Sequence, residues 1–101
     1  MIKEIKLIHN DVHVKLHGEV YVSDASLLRE KLLPYVEEGK ANFHFDFSEV
    51  TFIDSAGLGV LVAIHKRATQ NNGEVRILNA RGSVKEIFTL TRLHHVFQMG
   101  E

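Results

Sequence analysis

Between Phe43 and Phe47 three phenylalanines occupy every second position, with His44 and Asp46 between them. Side chains of an extended strand alternate between its two faces, so this pattern sets three rings on one side and two ionisable groups on the other. A strand of that kind needs an apolar layer against one face only, and it predicts a central place in a sheet. An all-helical fold is excluded.

The remaining chain supplies partners for that strand. Val12, Val14 and Leu16 alternate with His13, Lys15 and His17, predicting a half-buried strand that runs to Glu19. Ile5 and Leu7, with Ile2, predict a weaker strand before it, and Asn10-Asp11 between them has the chemistry of a hairpin turn. Ala25, Leu28, Leu32, Tyr35 and Val36 fall at helical spacing, capped by Ser23 or Asp24 and ended by Gly39. Pro34 lacks the amide that would bond the carbonyl of Glu30, so the last turn of this helix is expected to bend or loosen. Val50, Phe52 and Ile53 lead into Asp54-Ser55-Ala56-Gly57-Leu58, and a helix follows to about Asn72, closed by Asn71-Asn72-Gly73. Val75, Ile77 and Leu78 predict a strand, Gly82-Ser83 opens a short helix carrying Val84, Ile87, Phe88 and Leu90, and Val96-Phe97 predicts an edge strand. The order β-β-α-β-α-β-α-β favours parallel pairing with right-handed crossovers, and the opening hairpin makes the α/β sheet mixed.

With 101 residues, the chain is expected to form one domain over residues 1–101. A net charge of −1 provides no positive field for phosphate backbones, so nucleic acid is not an expected partner. The longest apolar stretch, Gly57 to Ile64, has eight residues, far below the roughly 18 needed to span a bilayer, so membrane insertion is not expected. Charged residues interrupt the first six positions, unlike a signal peptide, and cysteine is absent; a cytoplasmic location is expected.

Chemistry concentrates at Asp54-Ser55-Ala56-Gly57-Leu58, where a strand passes into a helix. With Ser55 as N-cap, the amides of Gly57 and Leu58 would be two unpaired donors at the positive end of the helix. A phosphate on Ser55 would bring about −1.5 to −2 charges to that end, and Asp54 would oppose it by like-charge repulsion. The competing explanation is that Asp54 and Ser55 only cap the helix, as both residue types do in unrelated proteins. The following turns are apolar nearly all round, which fits burial on both sides or a patch of small residues offered to a partner.

The run Val50-Thr51-Phe52-Ile53-Asp54-Ser55-Ala56-Gly57-Leu58-Gly59-Val60 resembles the signature of STAS domains, above all the stand-alone bacterial anti-sigma factor antagonists. The resemblance extends to Gly18-Glu19-Val20, to Leu28-Arg29-Glu30-Lys31-Leu32 and to the Ile87-Phe88 and Leu93 segment. It implies a mixed STAS-type sheet with helices packed against it. It also implies that Ser55 is the phosphoacceptor of an anti-sigma factor that is itself a serine kinase, with a PP2C-type phosphatase reversing the step. Asp54, Ala56, Gly57, Leu58, Gly59 and Val60 are then the expected partner-binding residues, and no catalytic role is implied. One position departs from many relatives: Tyr21 stands where they carry an acid after Gly18-Glu19-Val20. The alternative within the family is a constitutive adaptor of a transporter ATPase or signalling assembly.

Two other readings of Asp54-Ser55 fail on context. Acyl carrier proteins, which carry a modified serine after an aspartate, are all helical, whereas strands are predicted here. A hydrolase elbow needs glycine two residues before the serine, and Ile53 is there. Among seven histidines, His13 and His17 share a strand face but lie about 13 Å apart along it, and His94-His95 point apart on most backbones. No closed metal-ligand set, and no cofactor, is expected.

Overall fold

The computed structural model describes residues 1–100, without the side chain of Val22. Five strands, β1 (Ile2–Ile8), β2 (Asp11–Val20), β3 (Asn42–Ile53), β4 (Glu74–Leu78) and β5 (Gln98–Gly100), form one sheet in the order β1-β2-β3-β4-β5. Three helices, α1 (Val22–Glu37), α2 (Ser55–Gln70) and α3 (Gly82–Leu90), make the connections between β2 and β5. The hairpin pair β1–β2 is antiparallel and the other pairs are parallel, so the sheet is mixed with the phenylalanine strand at its centre.

Local boundaries differ from the expected ones in three places, the hairpin turn, the start of α1 and the last strand. The hairpin turn is His9-Asn10, both at positive φ, while Asp11 already pairs with Ile8. Helix α1 starts two residues early: Tyr21 is its N-cap, and Asp24 accepts the Tyr21 amide at 2.9 Å from the third helical position. Neither Ser23 nor Asp24 is the cap. Pro34 lies inside α1, which continues to Glu37. Val96-Phe97 do not form the last strand; a 3-10 turn at Leu93–His95 precedes them, Phe97 is buried, and pairing with β4 begins at Gln98.

All the helices lie on one side of the sheet, for a topological reason. Strands β2 to β5 are added in one direction, and a right-handed crossover that always moves the same way always returns over the same face. That face carries Val12, Val14 and Leu16 of β2, Phe43, Phe45 and Phe47 of β3, and Val75 and Ile77 of β4, all buried. Leu28 and Leu32 of α1, Leu61 and Ala68 of α2 and Phe88 of α3 close over them. Phe88 meets Phe47 edge-on at 5.7 Å, a favoured aromatic geometry. Each such side chain contributes roughly 1.5–3 kcal/mol by leaving water. The opposite face has no helix and carries His13, Lys15, His44, Asp46 and Arg76.

The return from α2 into β4 is tight. Asn72 takes a left-handed conformation, the Gly73 amide bonds the Ala68 carbonyl at 2.8 Å, and a Cβ on Gly73 would lie 2.0 Å from the Ala41 oxygen. Gly73→Ala therefore forces two backbone segments apart. Its expected cost is about 3 kcal/mol or more, read as a lower urea midpoint at unchanged slope.

Candidate functional site

Parallel strands β2 and β3 end together, Val20 opposite Ile53, and α2 begins at once beyond them. The Asp54 amide donates to the Val20 carbonyl at 3.1 Å, so the helix entry is tied to the neighbouring strand as well as to its own. Gly57 lies over both strand ends: a Cβ there would meet Ile53 Cγ1 at 2.9 Å and Val20 Cγ1 at 3.1 Å. The glycine of the motif lets the first turn of α2 rest directly on the sheet.

Asp54, not Ser55, is the N-cap. Its Oδ1 accepts the amides of Ala56 and Gly57, each at 3.1 Å, and its carbonyl accepts the Leu58 amide at 3.1 Å. The expectation that the Gly57 and Leu58 amides are unpaired donors around a capping serine is thereby corrected. The carboxylate of Asp54 already occupies the positive end of the helix, where an anion is favoured. Ser55 is the first helical residue, and it is exposed.

The seven motif residues divide by burial. Ser55 and Gly59 are exposed, Asp54 and Ala56 are half-buried, and Gly57, Leu58 and Val60 face the core. The last three set the helix on the sheet; the accessible part of the motif is the other four. An alanine Cβ at Gly59 would meet nothing within 4 Å, so packing inside this chain does not demand glycine at that place.

Two aromatic rings extend the surface and were missed as site residues. Tyr21 and Phe52 are 42% and 38% exposed, large values for such rings, and their centroids are 5.2 Å apart. β3 gains two residues on β2, pairing shifting from Lys15↔Asp46 to His17↔Glu49 and again from Gly18↔Val50 to Glu19↔Phe52; the first shift turns Val50 inward and the second restores the original parity, so Phe52 faces outward and Ile53 inward. Asp46 Oδ1 accepts the Ser48 amide at 2.9 Å at the first shift. The Tyr21 hydroxyl donates to Glu19 Oε2 at 2.5 Å, and this bond raises the phenol pKa above its usual value, helped by desolvation and by the charges of Glu19 and Asp54. Thus an acid does stand beside position 21, through Glu19.

The histidines group in a way that distance along the chain does not show. Spacing along one strand keeps His13 from His17, but pairing between strands sets His13 opposite His44, with Asp11 beside them.

The profile of the STAS domain matches residues 3–101. The chain belongs to the STAS family. An anti-sigma-B factor antagonist of Bacillus subtilis (strain 168) is 32% identical over 96 residues, 95% of this chain and 87% of that protein. One of Staphylococcus aureus (strain NCTC 8325 / PS 47) is 31% identical over 88 residues, covering 87% of this chain and 82% of that protein. Among solved structures, an anti-sigma factor antagonist from Mycobacterium paratuberculosis superimposes with a TM-score of 0.85 at 24% identity, covering 99% of this chain and 86% of that one. The anti-sigma factor antagonist SpoIIAA in its unphosphorylated form has a TM-score of 0.81 at 17% identity, covering 100% and 88%. The mixed α/β sheet expected from the residue pattern, and the STAS fold implied by the resemblance, are the observed ones. No helix among the described residues is long and apolar enough to cross a membrane.

Because Asp54 holds the cap of this STAS helix, Asp54→Ala should destabilise by about 1 kcal/mol, whereas Ser55→Ala should stay within ~0.5 kcal/mol of wild type in urea unfolding. Equal losses would return the cap to Ser55. In a Tyr35→Phe background, absorbance titration should find the Tyr21 phenol ionising above the usual tyrosine range, and Glu19→Gln should lower it. The raised folded value means that this contribution to stability is complete below the unfolded tyrosine pKa and is lost as pH climbs through the folded one.

Proposed function

We propose that this STAS protein is an anti-sigma factor antagonist, a binding module and not an enzyme. In this reading the unmodified form captures an anti-sigma factor that is also a serine kinase, freeing a sigma factor in the cytoplasm. Phosphate on Ser55 ends the capture, and a PP2C-type phosphatase restores it. The observation that carries the reading is an exposed Ser55 hydroxyl on a helix whose cap is already held by Asp54. The names of the Bacillus and Staphylococcus relatives support the kind of partner, and a solved structure of phosphorylated SpoIIAA, of the same fold, supports the kind of modification.

The geometry supplies a mechanism for the switch. A new dianion at Ser55 finds the nearest helix amides engaged and the Asp54 carboxylate beside it, so it gains little from the helix end and meets repulsion. Net charge falls from −1 to about −3 while the fold keeps its cap. A partner shaped for a neutral hydroxyl must then desolvate part of that charge. A loss of ~3 kcal/mol already weakens affinity about a hundredfold.

Exposed Gly59 fits the same surface. A glycine inside a helix costs about 1 kcal/mol against alanine, and nothing in this chain requires the missing side chain there. A partner backbone resting against α2 would require it.

Titration against the anti-sigma kinase should give tight binding for wild type and Ser55→Ala, intermediate binding for Ser55→Asp, and about a hundredfold weaker binding for the phosphorylated protein. Equal affinities throughout would favour a constitutive adaptor, and phosphate mapped to Thr51 or Ser48 with Ser55 unmodified would remove the site assignment. Gly59→Ala should raise the urea midpoint while weakening the kinase complex. A variant both more stable and equally well bound would take Gly59 out of the interface.

A further inference from the structure

At the far end of the same two strands, the face without helices gathers a different set of groups. The parallel register places His13 of β2 directly opposite His44 of β3, and their rings stack at 4.3 Å, within 4° of parallel. Asp11, two residues before His13 and so on the same face, reaches across the strands: its Oδ2 is 3.1 Å from His44 Nε2. One ligand atom from each of Asp11, His13 and His44 lies within 4.8 Å of the other two, and all three residues are half-buried. We propose that Asp11, His13 and His44 form a binding site for a divalent transition-metal ion of the zinc and cobalt class.

The donor set suits such an ion. Two imidazoles and one carboxylate are borderline to hard ligands at which zinc and its first-row neighbours bind, with solvent free to complete the coordination. Bonds of about 2.0–2.2 Å would hold the donors roughly 3.3 Å apart, so loading asks for a contraction of an ångström or so and a tilt of the parallel rings toward a common point. His13 and His44 line an open depression of ≈ 280 Å³, which has room for that movement and for water ligands.

Burial, followed by the neighbouring charge of His44, holds the His13 pKa below its usual value, while Asp11 opposes the shift; an ion bound here would replace the proton that His44 shares with Asp11. The His44 hydrogen bond, with help from Asn42, holds the Asp11 carboxyl below the usual range and keeps it ionised. Asn42 Nδ2 also donates to the other carboxylate oxygen, Oδ1, at 3.4 Å, an outer contact that orients a ligand. Of the cations sharing this face, Lys6 pairs with Glu4 at 3.2 Å and Arg76 with Glu74 at 3.0 Å, and Lys3 and Lys15 share Glu49 at 3.0 and 3.1 Å. Their repulsion of a bound ion is therefore reduced. In the sheet the cluster lies seven residues from Val20, about 20 Å from the start of α2, so it is separate from Ser55.

Titration of the intact chain with Zn2+ in calorimetry should show one site of micromolar affinity. Co2+ should give visible d–d absorption at the same stoichiometry. His13→Ala and His44→Ala should each weaken Zn2+ binding at least tenfold, and Asp11→Asn should weaken it several-fold, while His17→Ala and His94→Ala/His95→Ala leave it unchanged. No binding up to millimolar Zn2+, or binding insensitive to His13→Ala and His44→Ala, or lost instead in the His94/His95 variant, would overturn the site. Imidazole NMR of the wild-type protein gives a reading independent of variant folding: Zn2+ should shift His13 and His44 signals, and shifts confined to other histidines would overturn it.

Discussion

The register between β2 and β3 is the constraint on which the rest depends. Fixed at Val12↔Phe43 at one end and Val20↔Ile53 at the other, it aligns two strand ends under the first turn of α2 and two histidines at the opposite end. A slip of one residue would turn the phenylalanines of β3 toward solvent and bring Asp46 to the core. The three rings therefore lock the register energetically. The helix entry at Asp54 and the His13–His44 stack follow from it geometrically.

The two shifts within that pairing are equally consequential. The first turns Val50 toward the core and the second restores the parity of Phe43, Phe45 and Phe47, so that Phe52 lies beside Tyr21 and Ile53 reaches the core beneath Gly57. A regular strand would leave Val50 on the outer face. The result is a surface on which an apolar aromatic pair, two carboxylates and an exposed hydroxyl lie around one rigid helix start.

Much of this was legible in the residues. Alternation found β2 and the first half of β3, helical spacing found α1 and α2, and Asn71-Asn72-Gly73 marked a helix end that the structure keeps. The motif at Asp54-Ser55 located the helix start, but the choice of cap was not readable, because aspartate and serine are equally suited to it and only the hydrogen bonds separate them. The burial of Val50 was hidden since an irregular strand breaks the period on which such a reading relies. The histidine cluster was hidden for another reason: distances along a chain say nothing of the 31-residue offset that pairing sets between His13 and His44. Register is a tertiary property, and short-range pattern does not contain it.

A sheet wound in one direction has a back as well as a front. Residues on the front are held by the packing of three helices, and nearly every change there disturbs the core. Those on the back, Lys15, His44, Asp46 and Arg76 among them, contact one another and water, so substitutions there are cheap for the fold. Such a face is where a domain is free to change: a ligand set there could be built, altered or removed while the helix start, which rests on the packed front, keeps its geometry.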